Sequence, residues 1–172
     1  MADALMWAQM VDSRMVVSNA NAWNWWLLVN NNAVDNQGLM SEDGSTIAKR
    51  AYMLGNYGKF VRPGFYRIDA THTPQAGVLV SAYKNTATGI LVIVAINQTG
   101  SAISQEFALN GTTVSNITPW TTSKSLNLVQ QANVSVNGGS FTYALPASSV
   151  TTIVGATSII PMPPTGLTVT LQ

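Results

Sequence analysis

Two acidic side chains and one imidazole are the first groups in this sequence that could do acid–base chemistry. Glu42 and Asp43 form the only adjacent acidic pair, and His72 is the sole histidine. Cleavage of a glycosidic bond needs two carboxylates held several ångströms apart, whereas neighbours in sequence diverge in space. The pair precedes a helical pattern, where negative charge favourably meets a helix start. His72 falls in a turn with no second histidine to share a metal. We therefore expect a solvated charge pair, a surface-turn histidine, and neither a metal site nor a cofactor.

A tryptophan-rich run at residues 21–26, Asn-Ala-Trp-Asn-Trp-Trp, is the stronger candidate for a binding site. On a strand, Trp23 and Trp25 would share one face, and Asn24 and Trp26 the other. Indole rings stack on the apolar faces of sugars, and amide side chains bond sugar hydroxyls. We take Trp23, Asn24, Trp25 and Trp26 as candidate substrate-binding residues. Composition alone leaves open the alternative that the indoles only pack in a core.

Composition excludes several classes of partner. The 172 residues include no cysteine, so a disulfide framework and a thiol nucleophile are ruled out. Charged residues make up 9% and the formal net charge is +1, which is not the basic footprint of a protein that binds nucleic acid or a membrane surface. No apolar stretch approaches the roughly 20 residues of a membrane span. The first ten residues, with Asp3 among them, make a poor secretory signal. We expect no nucleic-acid partner and no membrane partner.

The amino-terminal third is predicted to be helix, strand, loop and helix. Apolar spacing predicts a helix over residues 2–15. In the run from Met15 to Val29, the second half is nearly continuous in large apolar side chains and predicts a buried strand. The polar run at residues 30–44 has no periodicity and predicts a loop. Apolar intervals of three and four predict a second helix over residues 45–61, with the Ser45 hydroxyl as its cap. These elements indicate a fragment of an α/β layer structure.

Downstream of Gly64 the pattern changes to short strands. Thirteen of the fifteen charged residues lie at or before Lys84, and the remainder is rich in Val, Ile, Thr, Ser and Asn. Strands are predicted at residues 65–70, 78–83, 90–97, 101–107, 113–118, 134–136, 140–145 and 149–154. Their spacing predicts an antiparallel β-sandwich. The Pro-rich run at 161–164 predicts a stiff linker, and residues 165–170 resemble the opening strand of a fibronectin type III module.

Several stretches resemble the carboxy-terminal portion of family 30 glycoside hydrolases, above all their bacterial xylan-degrading members. They are residues 21–29, residues 49–83 with the string Gly-Asn-Tyr-Gly-Lys-Phe-Val-Arg-Pro-Gly-Phe-Tyr-Arg-Ile-Asp-Ala-Thr at 55–71, residues 77–84 and residues 91–98. The resemblance runs from about Leu5 to Val154 and is most specific in the middle.

This resemblance implies an α+β fragment: the last helix, strand and helix of a (β/α)8 TIM barrel followed by an antiparallel β-sandwich side domain. Residues 1–63 would hold the seventh helix (2–15), eighth strand (21–29) and eighth helix (45–61) of the barrel, residues 64–158 the sandwich, and residues 159–172 the linker and the start of a fibronectin III-like module. Active residues of such barrels lie at the carboxyl ends of strands. Trp25 and Trp26 would stand there, so the resemblance favours substrate contact over packing alone.

The family's acid/base glutamate follows its fourth strand and its nucleophile follows its seventh, so the resemblance implies that both are missing and that the chain is inactive alone. It implies a secreted parent enzyme, a retaining endo-β-1,4-xylanase acting on the polysaccharide xylan. A complementing barrel chain or an oligomer would cover the exposed barrel edges. Glucuronoxylan-specific relatives carry arginines just past the paired tryptophans, whereas residues 27–32 are Leu-Leu-Val-Asn-Asn-Asn, so we expect no dependence on glucuronate. The alternatives are a noncatalytic carbohydrate-binding or adhesion sandwich and a purely structural one.

Overall fold

The computed structural model describes residues 1–31 and 37–157. Its helices are α1 (Ala2–Val16) and α2 (Lys49–Gly58). Its strands are β1 (Val29–Asn30), β2 (Met40–Ser41), β3 (Tyr66–Ile68), β4 (Val78–Asn85), β5 (Ile90–Asn97), β6 (Ile103–Ala108), β7 (Val114–Thr122), β8 (Val129–Gln130), β9 (Val134–Ser135), β10 (Ser140–Leu145) and β11 (Ser149–Thr157). The expected linker and fibronectin-like start at residues 159–172 lie outside the described residues. Within the two described ranges, no helix has the length and apolarity to cross a membrane.

A seven-stranded sheet forms the centre of the molecule. Its order is β3-β4-β5-β11-β7-β8, with β9 also paired to β7. Strand β11 lies between β5 and β7 and is antiparallel to both, so the last described strand completes the middle of the sheet. A separate two-stranded antiparallel sheet joins β6 to β10. The chain downstream of Gly64 is therefore antiparallel and rich in strands, as the sequence predicts.

The large sheet is covered on both faces, because alternate side chains of each strand point to opposite sides. One face packs against β6 and β10, where the Phe107 and Phe141 rings stack with centroids 5.0 Å apart. The other face packs against α1 and α2 through Ala8, Met53 and Val94, among others. The two helices thus share a core with the sheet. The domain boundary after residue 63, and the assignment of α1 and α2 to barrel helices seven and eight, stay predictions.

Helix α2 is tied to the middle of the sheet by the buried side chain of Asn56. Its Nδ2 donates to the Trp120 carbonyl (2.9 Å) and to Thr152 Oγ1 (3.0 Å). The Thr152 hydroxyl in turn donates to the Asn56 carbonyl (2.5 Å). A Cβ added at Gly55 would lie 2.7 Å from Leu128 Cδ2, so glycine allows the helix to approach this neighbouring loop closely. Within the string at residues 55–71, Gly55 and Asn56 therefore serve to dock α2 against the sheet and its neighbouring loop.

The predicted strand over residues 21–29 is wrong for most of its length. Residues 21–28 are irregular, and only Val29–Asn30 forms a strand, which pairs in parallel with Met40–Ser41. A strand needs partners for its backbone N–H and C=O groups. In the described part of the chain no strand is paired with residues 21–28. Large apolar side chains alone did not determine the backbone conformation.

The predicted cap of the second helix is also wrong. Helix α2 begins at Lys49 and ends at Gly58, and its N-cap, Ala48, makes no side-chain hydrogen bond to the helix. Ser45 lies in the turn ahead of the helix, where its amide (2.9 Å) and its hydroxyl (2.8 Å) both donate to Asp43 Oδ1. Local bonds of this kind compete with helix formation at Ser and Asp.

Candidate functional site

A groove of about 920 Å³ lies beside the tryptophan-rich segment. Its walls come from the end of α1, residues 19–25, the end of α2 and residues 61–67. Trp23, Asn24 and Trp25 line it, whereas Trp26 is not among its lining residues and is 73% exposed. The structure therefore brings three of the four candidate residues to one surface and leaves Trp26 apart.

The indoles that line the groove belong to a cluster of three. Trp7 of α1 lies edge-on to Trp25, with centroids 4.6 Å apart and planes at 75°. Trp23 lies 5.8 Å from Trp25 and 6.2 Å from Trp7. These spacings are within the range of favourable aromatic pairs. Trp23 and Trp25 share a side although their segment is not a strand. They pack on each other and on Trp7 while also lining the groove.

Trp25 is held by groups that sequence reasoning missed. Its Nε1 donates to the Gln37 carbonyl (2.7 Å), and the Arg50 guanidinium carbon lies 6.0 Å from its ring centroid. Arg50 is only 2% exposed; its Nη1 is 3.0 Å from Asp3 Oδ2 and its Nε donates to the Gly38 carbonyl (3.2 Å). The sequence offers no signal for this, since an arginine on a helix is usually solvated.

The groove carries two cations and, among its described lining residues, no carboxylate. Arg67 Nη2 donates to Asn19 Oδ1 (3.2 Å), and Arg62 Nη1 donates to the Gly58 carbonyl (2.8 Å). The surface therefore offers indole faces for stacking and amide and guanidinium groups for hydrogen bonds. It does not offer the acid–base pair that cleavage of a glycosidic bond requires.

The acidic pair at 42 and 43 is part of a turn before α2. Asp43 Oδ1 accepts from the Ser41 hydroxyl (2.6 Å) and from the Ser45 amide (2.9 Å) and hydroxyl (2.8 Å). The hydroxyl of Ser41 is the largest cause, and the Ser45 groups the next, that lower the pKa of Asp43 to about 2. Asp43 is therefore ionised at neutral pH and cannot serve as a proton donor there.

His72 lies at a bend, as the sequence predicts, but its side chain is only 31% exposed and contacts a buried carboxylate. Its Nε2 lies 2.6 Å from Oδ2 of Asp12 on α1, and the Asp12 side chain is only 1% exposed. Burial, with the charge of Asp12 adding to it, raises the pKa of Tyr57 well above its usual value, and burial raises the pKa of Tyr83. The contact between His72 and Asp12 joins α1 to the segment that precedes β4. Across residues 1–31 and 37–157, no group of three or more His, Cys, Asp or Glu side chains could hold a metal ion.

Comparison with known proteins identifies the family. No protein-family model matches the chain. Over 152 residues it is 43% identical to glucuronoxylanase XynC of Bacillus subtilis (strain 168), a match that covers 88% of this chain and 34% of the relative. Its fold matches a GH30 endoxylanase from Clostridium papyrosolvens C71, with a TM-score of 0.77 and 39% identity over 89% of this chain and 38% of that one. The chain corresponds to a carboxy-terminal part of a family 30 glycoside hydrolase.

A second solved structure supports the same family. The subfamily 8 family 30 xylanase Xyn30A from Clostridium acetobutylicum gives a TM-score of 0.81 and 36% identity, covering 90% of this chain and 39% of that one. The resemblance inferred from residues 21–29 and 49–98 is therefore confirmed. This family 30 chain spans 34% of the length of its Bacillus relative.

Proposed function

We propose that this chain supplies a substrate-binding, carboxy-terminal part of a xylan-degrading glycoside hydrolase. The observation that carries the proposal is the groove in which Trp23, Asn24 and Trp25 lie together, in a chain whose relatives are named as xylanases. Indole faces suit the apolar faces of xylose rings, and the Asn24 amide suits their hydroxyls. The chain's contribution is to bind and orient the polysaccharide.

The isolated chain is proposed to be catalytically inactive. A retaining mechanism needs a nucleophile and an acid/base carboxylate about 5 Å apart across the sugar. The described lining of the groove has no carboxylate, and the buried Asp12 is already engaged by His72. The retaining chemistry would then belong to carboxylates elsewhere in the complete enzyme.

Reducing-sugar release from beechwood-type xylan tests this inactivity. We expect no release above buffer from the purified 172-residue chain. A catalytically competent family 30 xylanase assayed alongside it shows that substrate and conditions are adequate. Turnover by the chain, persisting through repurification, would refute the assignment.

Binding is tested by pull-down on insoluble xylan. Trp25→Ala should weaken binding up to roughly tenfold, since aromatic contacts contribute about 0.5–1.5 kcal/mol beyond the area they bury. Trp26→Ala removes an equally large side chain outside the groove lining and should have a smaller effect. If a chain carrying both Trp25→Ala and Trp26→Ala binds xylan as the unchanged chain does, these tryptophans do not bind the substrate.

We also propose that further barrel units cover an apolar surface of the amino-terminal third. Exposed large apolar side chains there are Met6, Met10, Val17, Trp26, Leu28, Val29 and Ile47. Contiguous patches of such side chains mark interaction sites. Co-expression with the unmatched portion of the Clostridium papyrosolvens endoxylanase should yield a complex that releases reducing sugar. Self-association of the chain, measured by sedimentation, would instead indicate an oligomer.

The complete enzyme is proposed not to require glucuronate side groups on xylan. Described residues 27–31, just past the paired tryptophans, are Leu, Leu, Val, Asn and Asn, with no cation to pair the acid. A full-length version should cleave decorated and undecorated xylan at equal rates. Strict dependence on the decoration would overturn the proposal. Because polymeric xylan lies outside cells, we propose that this enzyme is secreted.

A second candidate is a noncatalytic carbohydrate-binding module. The exposure of Trp26, at 73%, favours it, since an indole open to solvent can stack on an insoluble polysaccharide. The complementation experiment separates the two. Under the second candidate, the chain binds xylan but gains no hydrolytic activity with any barrel portion.

A further inference from the structure

Arg50 carries a buried charge whose position calls for an explanation. Only 2% of the residue is exposed, although it lies in the first turn of α2. A buried cation is costly unless it is paired and hydrogen-bonded. Asp3 supplies the pairing, with Oδ2 at 3.0 Å from Nη1. One guanidinium edge is thereby fixed to the first turn of α1.

A second contact of Arg50 reaches the loop that precedes β2. Its Nε donates to the Gly38 carbonyl (3.2 Å). A Cβ at Gly38 would lie 2.8 Å from Asn30 Cβ, so this backbone passes very close to β1. The carbonyl immediately before it, that of Gln37, accepts the indole N–H of Trp25 (2.7 Å). Arg50 therefore holds the peptide next to the one that holds Trp25.

A third contact is with the indole itself. The Arg50 guanidinium carbon lies 6.0 Å from the Trp25 ring centroid, at the outer limit of a cation–π contact. Trp7 packs edge-on at 4.6 Å against the same ring. The Trp25 side chain is thus restrained at its nitrogen by Gln37 and at its ring by Arg50 and Trp7, while it lines the groove.

We propose that Arg50 is a positioning residue that holds the Trp25 indole in the orientation presented to the groove. The inference rests on the proposed function for its consequence, which is that Trp25 meets the saccharide already ordered. A pre-ordered ring loses less conformational freedom on binding. Arg50 does not itself line the groove, so it acts on the ligand through Trp25.

Arg50→Lys is the decisive variant. A lysine keeps the positive charge opposite Asp3. Its ammonium group lacks the planar guanidinium that bonds both Asp3 and the Gly38 carbonyl while lying near the Trp25 ring. We expect the Trp25 indole N–H, assigned in a nitrogen-15 NMR spectrum by comparison with Trp25→Phe, to exchange faster with solvent. Affinity for xylohexaose should fall roughly three- to tenfold, the range for one side chain that must be ordered on binding.

Two controls separate positioning from general loosening. Arg14→Lys makes the same chemical change at an exposed arginine outside the groove lining and should alter neither measurement. Leu145→Ala truncates a fully buried side chain of β10, which packs on the face of the large sheet opposite to the helices. This variant should lower the free energy of unfolding. When the two variants are compared under conditions of equal stability, the Trp25 indole N–H should exchange more slowly in Leu145→Ala than in Arg50→Lys. Urea denaturation of each variant shows whether the fold persists.

The outcomes distinguish this inference from the function on which it rests. Faster exchange confined to Trp25 in Arg50→Lys supports positioning, whether or not xylohexaose binds. If the Trp25 indole N–H exchanges no faster in Arg50→Lys, or equally fast in Leu145→Ala, the positioning role of Arg50 is refuted. Absence of xylohexaose binding by the unchanged chain would count against the proposed function, while the exchange measurement would still decide the role of Arg50.

Discussion

The sheet region, residues 64–157, and the connecting region, residues 17–48, contain similar apolar runs but use their backbones differently. Strand β5 is hydrogen-bonded to β4 on one side and to β11 on the other. Among the described residues of the connecting region, only Val29–Asn30 and Met40–Ser41 pair as strands. Strand formation thus depends on the neighbours available to the backbone as much as on side-chain type. In the connecting region, Trp23 and Trp25 line a groove instead of filling a sheet, and Trp26 and Leu28 are exposed.

The largest expected contrast between the two regions is in stability. Ile153→Ala, at a side chain only 1% exposed in the sheet, should lower the free energy of unfolding by about 2–5 kcal/mol, because it loses buried methyl groups and leaves a cavity. Leu28→Ala, at a residue 62% exposed in the connecting region, should change it by less than about 0.5 kcal/mol. Urea denaturation measures both. Equal losses would show that Leu28 is buried in solution and would break the comparison.

The second largest loss of stability is expected when the hydrogen bonds between α2 and the large sheet are removed. Thr152→Val keeps the volume of the side chain but removes the hydroxyl that donates to the Asn56 carbonyl and accepts from Asn56 Nδ2. Asn56 Nδ2 keeps its bond to the Trp120 carbonyl, but its second proton and the Asn56 carbonyl lose the Thr152 hydroxyl, which should cost about 1–3 kcal/mol. Thr142→Val, the same change at an exposed position of β10, is the matched control. If both variants unfold at the same urea concentration, the Asn56 contacts do not secure α2.

The third largest effect is expected at alkaline pH, where the free energy of unfolding should fall as the contact between the helices and the sheet weakens. Burial raises the pKa of Tyr57 well above its usual value, so the folded state holds the phenolic proton more tightly than the unfolded state. This contribution is complete below about pH 10 and is lost as pH rises above it, by at most about 1.4 kcal/mol per pH unit. Tyr57→Phe should flatten the decline measured by denaturation between pH 9 and 11. Tyr66→Phe, at an exposed residue, should leave it unchanged; an identical slope in all three chains would contradict the prediction.

The smallest effect is expected within the connecting region. Because the pKa of Asp43 is lowered to about 2, its bonds to Ser41 and Ser45 are complete above about pH 4 and are lost as pH falls towards 2. The Ser45 amide proton resonance should shift over this interval. Asp43→Asn should abolish the shift, and Glu42→Gln, its exposed neighbour, should preserve it. A shift centred near pH 4 in the unchanged chain would show that the turn does not hold the ionised carboxylate.

The sequence predicts the sheet region far better than the connecting region. The bounds of β5 (Ile90–Asn97) and β10 (Ser140–Leu145) agree with prediction to the residue, because turn residues flank continuous or alternating apolar runs. The short strand β8 was not predicted. The second helix was predicted four residues too early, since Ser45 bonds to Asp43 in a turn ahead of it and no local pattern ranks such a turn against a helix start.

The candidate groove was predicted only in part. Strand alternation over residues 21–26 predicts Trp23 and Trp25 on one face and Asn24 and Trp26 on the other. The two indoles lie 5.8 Å apart, but the segment is not a strand and Asn24 lines the groove with them. The run gave no sign of Trp7 or Arg50, because their contacts with Trp25 cross between separate elements. The pairing of His72 with Asp12 was missed for the same reason. Such partners follow from how helices dock on a sheet, which residue spacing within one segment does not encode.

Different elements cover the two faces of the large sheet, and this determines where a label or tether can be attached. Strands β6 and β10 lie on one face, and both helices, whose ends line the groove, lie on the other. The turn leading into β10 has Gly138 and Gly139 at φ of 59° and 79°, and both are exposed. A fluorophore or a surface tether attached at this turn would be separated from the helix-covered face by the full thickness of the sheet. Immobilised chains would then present the groove outward.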